Sequence, residues 1–116
     1  MNASNEPHRI AHVWRIKVGR AEEYARRHAT VWPELEKLLI EAGVTTYVIY
    51  TWGEIVVSHM EVADYDRLVR RFDGDRLVEC WEHEFADILE YPNADPETGW
   101  PERLREVWSL RESEDR

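Results

Sequence analysis

Residues 8–18, HRIAHVWRIKV, alternate along the chain: Ile10, His12, Trp14, Ile16 and Val18 fall on one side, and Ala11, Val13, Arg15 and Lys17 on the other. A period of two is that of a strand with one buried face, and Gly19 punctuates its end. From Arg20 to Ala42 the period becomes helical, in two pieces. Ala21, Tyr24, Ala25 and His28 share one side of the first piece; Val31, Leu35, Leu38 and Leu39 share one side of the second. Pro33 has no N–H to donate and its ring clashes with the carbonyl four residues back, so the helix breaks near 29–32. Proline also drives Trp32 out of the helical region and is well suited to be the first residue of the next helix. Thr30 is the expected cap of that second piece, and Gly43 its stop.

The next two runs, VTTYVIYTW (44–52) and EIVVSHMEV (54–62), are rich in β-branched and aromatic residues and meet across a short turn at Trp52-Gly53-Glu54, which predicts a hairpin. ADYDRLVRRF (63–72) returns to a 3.6-residue period with Asp64 as its cap, and DGD (73–75) interrupts it. RLVECWEHEFADIL (76–89) resumes a helix whose inner stripe is Leu77, Cys80, Trp81, Phe85 or Glu84, and Ile88. YPNADPETGWP (91–101) is a loop of Pro, Gly, Asn and Asp. A short turn or helix and then a terminal strand around Val107–Leu110 complete a single domain, 8–110, between a loose polar leader (1–7) and a charged tail (111–116).

The order strand, helix, strand, strand, helix, late strand predicts the α+β class: a ferredoxin-like sandwich with one antiparallel sheet and helices on one face. The strands carry apolar residues on both sides, and few elements remain to cover the second side. A second copy of the chain is the expected cover, giving a homodimer of the dimeric α/β-barrel type.

The chain has 116 residues, room for one core. No apolar run approaches the roughly 20 residues that cross a bilayer, and MNASNEPHRI does not have the form of a signal peptide. With one cysteine, Cys80, there is no disulfide framework, and the expected compartment is the cytoplasm. A net charge of −9 repels phosphate backbones and anionic membranes, so nucleic acid and membrane are excluded as partners, and RLVRR (67–71) reads as a solvated helix face. A neutral, polyhydroxylated or apolar small molecule suits this field better. Six Trp and five Tyr are the unusual part of the composition.

Candidate chemistry is sparse. Among His8, His12, His28, His59 and His83 there is no HxH or HExxH pair, and Glu79, Glu82 and His83 read as a solvated helix face, so no metal is expected. No glycine-rich nucleotide loop occurs, so no nucleotide cofactor is expected either. Cys80, on the inner stripe, reads as a small buried thiol. His28 is the stronger candidate, because an imidazole with a pKa of about 6.5 both takes and gives protons at neutral pH. Tyr24 stands one turn before it on the same face, and the helix break leaves terminal carbonyls able to orient its ring. The competing reading is a satisfied core histidine packed on Tyr24. Tyr47, alternating with Thr46 and Val48, reads alone as core or as ligand.

The segment EEYARRHATVWPELEKLLIEAGVTTYVIYTW resembles the L-rhamnose mutarotase family, whose pattern is Y-x-x-x-H-x-x-x-W-P-E-L, then a glycine, then a Y-x-I-Y strand. Here these are Tyr24, His28, Trp32, Pro33, Glu34, Leu35, Gly43, Tyr47, Ile49 and Tyr50. CWEHEFADIL and LREVWSL extend the resemblance over residues 10–110. It implies a cofactor-independent, dimeric enzyme that interconverts the α and β anomers of a 6-deoxy sugar, with His28 as proton donor and Tyr24 and Tyr47 binding sugar. The family's Trp-Trp pair falls on Trp81 and Glu82, so the second aromatic wall is absent there, and Trp100 or Trp52 is the expected substitute. By the same resemblance Trp81 stacks on the apolar side of the sugar, and Glu82 bonds a hydroxyl or faces water. L-rhamnose is the leading substrate. L-fucose or another 6-deoxyhexose, and a non-catalytic dimeric binding protein, are the alternatives.

Overall fold

The computed structural model describes residues 8–91, 94 and 99–110; the leader (1–7), the tail (111–116) and the middle of the 91–101 loop lie outside the described residues. An antiparallel sheet carries four helices, an α+β architecture. In chain order the elements are β1 (His8–Ile16), α1 (Ala21–Arg27), α2 (Pro33–Glu41), β2 (Val44–Trp52), β3 (Ile55–Val62), α3 (Tyr65–Phe72), α4 (Arg76–Phe85), β4 (Leu89–Glu90) and β5 (Glu102–Arg103). The strand order is β2-β3-β1-β4, with β5 also on β1.

The alternation in β1 resolves into burial of Ile10, His12, Trp14 and Ile16. Opposite them β3 buries Val56, Ser58, Met60 and Val62, in a register that pairs Ile10 with Met60 and Trp14 with Val56. The helices cover this face. Leu68 of α3 packs on Ile10, Met60 and Val62, while Tyr24 of α1 and Phe85 of α4 pack on Trp14, Ile16 and Val56. Leu35 and Leu38 of α2 pack with Val78 of α4. The inner histidine of β1, His12, is 3% exposed, and its Nε2 lies 3.2 Å from the Tyr65 hydroxyl.

Local rules account for the helix ends. Asp64 accepts from the Arg67 N–H and caps α3. Asp75 accepts from the Leu77 and Val78 N–H groups and caps α4. Pro33 is the first residue of α2, and the residue before it, Trp32, is extended at φ −61°, ψ 128°. Gly43 ends the segment at φ +98°, a left-handed conformation that a side chain would resist.

Four sequence expectations are corrected. Trp32, not Thr30, is the N-cap of α2, and no side chain caps it; the proline restriction alone starts the helix. Cys80 is exposed rather than buried, because the inward stripe of α4 runs through Val78 and Phe85. The helix predicted over 76–89 ends at Phe85, and Leu89–Glu90 pairs instead with Arg15 and Ile16 as β4. The terminal strand lies at Glu102–Arg103, beside His12 and Val13, whereas Val107, Trp108 and Leu110 are exposed and outside any strand.

β2 departs from simple alternation. The register shifts between Val44 and Thr46, leaving Thr45 as an extra residue whose hydroxyl donates to the Glu61 carbonyl. Beyond that bulge Tyr47, Ile49 and Thr51 lie opposite Met60, Ser58 and Val56, on the helix-covered face. Val48, Tyr50 and Trp52 stand on the other face and are exposed, Trp52 to 82%.

Burial, followed by the nearby Arg103 charge, lowers His12 to about 4. The unfolded chain therefore takes up this proton first, at about 6.5, and acidification from there towards 4 favours unfolding. Wild-type protein is expected to lose more of its urea midpoint between pH 7 and pH 4.5 than His12→Phe does. Equal losses in the two proteins would contradict the burial of a neutral His12.

Candidate functional site

α1 ends at Arg27, and His28 is its C-cap residue. The His28 backbone N–H reaches the Ala25 carbonyl at 3.1 Å, and its ring Nδ1 donates to the Tyr24 carbonyl at 3.1 Å. A carbonyl oxygen only accepts, so Nδ1 carries the hydrogen, and in the neutral ring Nε2 is the acceptor. Burial lowers the His28 pKa below its ordinary value, and the bond to the carbonyl offsets only part of that. At neutral pH His28 thus presents a lone pair.

The imidazole is held by rings. Its centroid is 4.5 Å from Tyr24, 4.6 Å from Phe85 and 5.7 Å, edge-on, from Trp81. Salt bridges fasten α1 to the end of α4: Arg27 contacts Asp87 at 3.0 Å, the Glu84 carbonyl and Glu23, while Arg20 reaches Asp87 at 3.3 Å. The Arg27 guanidinium holds Asp87 down at about 2.

His28 opens onto a cleft of about 1350 Å³ whose wall includes Trp14, Tyr24, Tyr47, Trp81, Glu82 and Tyr91. All five expected site residues, His28, Tyr24, Tyr47, Trp81 and Glu82, thus line one cleft. Tyr24 is 3% exposed, and its burial raises the phenol far above the usual value. Tyr47 keeps 41% of its surface, yet burial of its hydroxyl raises that group to about 12. Tyr91 is likewise raised to about 12 by burial and then by the Glu82 charge. The three phenols are therefore un-ionised donors at neutral pH. Glu82 is raised by burial and by Glu79 beside it.

Sequence reasoning missed two parts of this wall, Tyr91 and Trp14. Trp32 lies edge-on to Trp81 at 5.0 Å but is not itself part of the wall. Of the two expected substitutes for the second aromatic wall, Trp100 lines the cleft and Trp52 does not. Trp52 is on the opposite sheet face, and Trp100 packs at the far end of the cleft with His12, Tyr65 and Phe72. In the sequence Tyr91 is only the start of a loop; it enters the cleft because β4 carries the chain back along β1. The period of β1 makes Trp14 an inner strand residue, and it also lines the cleft, its ring 6.4 Å from Tyr91. Among the described residues no three His, Cys, Asp or Glu side chains converge to hold a metal ion, and no helix is long and apolar enough to cross a membrane.

An α+β frame presenting an imidazole, un-ionised phenols and indoles to a shared cleft defines a candidate site for a small molecule. The sequence model of the L-rhamnose mutarotase family matches residues 9–110. The L-rhamnose mutarotase of Flavobacterium johnsoniae is 32% identical over 106 residues, covering 88% of this chain and 94% of the relative. That of Salmonella newport is 30% identical over 105 residues, covering 89% and 98%. The crystal structure of the L-rhamnose mutarotase of Formosa agariphila superposes with a TM-score of 0.71 at 25% identity, covering 90% of this chain and 99% of the other. Tetracenomycin F2 cyclase of Streptomyces glaucescens, at TM-score 0.64 and 21% identity over 91% of this chain and 99% of its own, shares the fold alone. This chain belongs to the L-rhamnose mutarotase family.

Because the Nδ1 bond goes to a backbone carbonyl, it survives loss of the Tyr24 hydroxyl. NMR titration of the His28 ring is expected to give a midpoint below 6.5 in wild-type protein and in Tyr24→Phe alike. A midpoint above 6.5 in wild-type protein would refute the acceptor assignment.

Proposed function

We propose that this protein interconverts the α and β anomers of L-rhamnose by acid–base-assisted ring opening. The observation that carries the reading is the His28 ring, pinned through Nδ1 to a carbonyl and lining a cleft rich in un-ionised phenols. In the first step Nε2 takes the proton of the anomeric hydroxyl while a phenol, Tyr47 or Tyr24, gives its proton to the ring oxygen. The C1–O5 bond opens to the aldehyde and the C1–C2 bond turns. On closing, the imidazolium returns its proton to the aldehyde oxygen and the phenolate takes the proton of the C5 hydroxyl. The donor role that the family resemblance implies for His28 belongs to this second half. Each proton is returned, so the cycle needs no other reactant. Positioned acid–base groups contribute about 10² to 10⁴ in rate, which suits a reaction that already proceeds slowly in water.

Trp81 gives the apolar side of a 6-deoxy sugar, methyl group included, an aromatic surface to rest on, and Trp32 packs edge-on against it. Glu82, in the position of the family's second tryptophan, is suited to accept from a sugar hydroxyl. It also favours a second reading in which L-fucose or another 6-deoxyhexose is preferred. A non-catalytic sugar-binding protein is the outcome if binding occurs without acceleration.

A ferredoxin-like sandwich is supported by the strand order β2-β3-β1-β4, with hairpin β2–β3 and the helices on one face. A homodimer formed over the other face is supported by the exposed Val48, Tyr50 and Trp52 on β2, a row of apolar side chains that a partner sheet would bury. A cytoplasmic site of action accords with a single cysteine and no disulfide framework.

NMR saturation exchange between the anomers tests the reading, with L-rhamnose and L-fucose side by side. Added protein is expected to accelerate L-rhamnose exchange above the buffer rate, and His28→Ala to lower the acceleration by about 10² or more. An unchanged rate in wild-type protein sinks the mutarotase reading; full activity in His28→Ala sinks the role of His28. Since the active ring is neutral, the rate is expected to rise with pH through a midpoint below 6.5 and then level off. In sedimentation, wild-type protein should run at twice 13.9 kDa and Trp52→Glu towards a single chain; a monomeric wild type contradicts the dimer.

A further inference from the structure

Trp14 has a property that the mechanism above leaves unused. It is 7% exposed, yet its Nε1–H has no hydrogen-bond partner among the described residues. An indole nitrogen can only donate, and a buried donor left unmade is costly. Ser58 is the other buried polar group without a partner, but its hydroxyl is not part of the cleft wall. Trp14 is part of that wall, with Tyr24, His28, Tyr47 and Tyr91.

The environment of this N–H limits what can satisfy it. Tyr24 and Phe85 pack around the ring, and Tyr91 stands 6.4 Å away. The indole acts on the Tyr24 phenol as a weak donor, the least of the influences on its raised pKa, yet the N–H is left without a partner of proper hydrogen-bond geometry. Tyr24 is protonated, so the phenol O–H and the indole N–H are two donors of residues in one cleft wall. The missing complement is a neutral oxygen acceptor, which hydroxyls and ring oxygens of a sugar supply. An anion is not called for, since neither donor is charged and the chain carries a net −9.

We propose that Trp14 is a substrate-binding residue whose indole N–H donates to an oxygen of the bound sugar beside Tyr24. The proposal rests on the sugar reading of the cleft and adds a specificity determinant on β1, outside the helix motif and the Tyr47 strand. Trp14 contributes to recognition of an acceptor oxygen and moves no proton, so its loss acts on KM and not on kcat.

Two measurements test it. In wild-type protein titrated with L-rhamnose, the Trp14 indole ¹H–¹⁵N resonance, assigned through its contacts to Tyr24 and Phe85, is expected to shift and saturate. In Trp14→Phe, which keeps an aromatic ring and removes the N–H, KM is expected to rise about tenfold with kcat within about twofold of wild type. An indole signal that stays still at saturating sugar, or a Trp14→Phe variant with unchanged KM, overturns the assignment. Should Trp14→Phe fail to fold, the wild-type resonance alone decides. A shifted indole in a protein that does not accelerate anomer exchange would sink the mutarotase reading and leave this one standing; acceleration with an unmoved indole does the reverse.

Discussion

The hydrogen bond from His28 Nδ1 to the Tyr24 carbonyl is the constraint on which the site depends. It exists because α1 stops. The last carbonyls of a helix have no N–H partner from a following turn, and a side chain at the C-cap can reach back to one. A few residues on, Pro33 holds Trp32 extended and opens α2, so the two helices stay separate. The end of α1 thus fixes a carbonyl that accepts from both the backbone and the ring N–H of His28, and with it the tautomer. Phe85 and Trp81 then keep the imidazole from turning away, and the Arg20, Arg27 and Asp87 contacts hold α1 on the end of α4 that carries them.

The electrostatics of the cleft follow from burial more than from charge pairing. Desolvation disfavours the charged form of every group, so it lowers histidine and raises tyrosine and glutamate. All of these directions occur here, in His28, in Tyr24, Tyr47 and Tyr91, and in Glu82. The result is a neutral imidazole among un-ionised phenols, in a protein of net charge −9. The two faces of the sheet divide the labour: one buries the core and the cleft, and the other exposes aromatic residues of β2.

Much of this was legible in the chain. Period-two runs in β1 and β3, the Pro33 break, the Asp64 cap and the Gly43 stop are local rules, and local rules can be read from sequence. So could the pairing of Tyr24 with His28, because a helix sets residues four apart on one face. The errors have a common source. Cys80 and the end of α4 were misjudged because a helical stripe in a short segment admits neighbouring phases, and only packing against α2 chose Val78 and Phe85. The two-residue strands β4 and β5 carry no periodic signal at all; they exist because β1 offers them an edge.

The sequence by itself determined the helix break, the tautomer-setting carbonyl and the facing of His28 with Tyr24, since these depend on residues within one turn of each other. Only the tertiary structure decided which other rings meet the imidazole. The extra residue at Thr45 shifts the phase of β2 and turns Tyr47 to the helix side, and pairing of β4 with β1 brings Tyr91 back to Trp14. Trp32 reaches Trp81 because α2 packs on α4. The physical reason is range. Backbone conformation is set by neighbours in sequence, whereas strand register and helix docking are set by the burial of apolar surface among segments far apart in the chain.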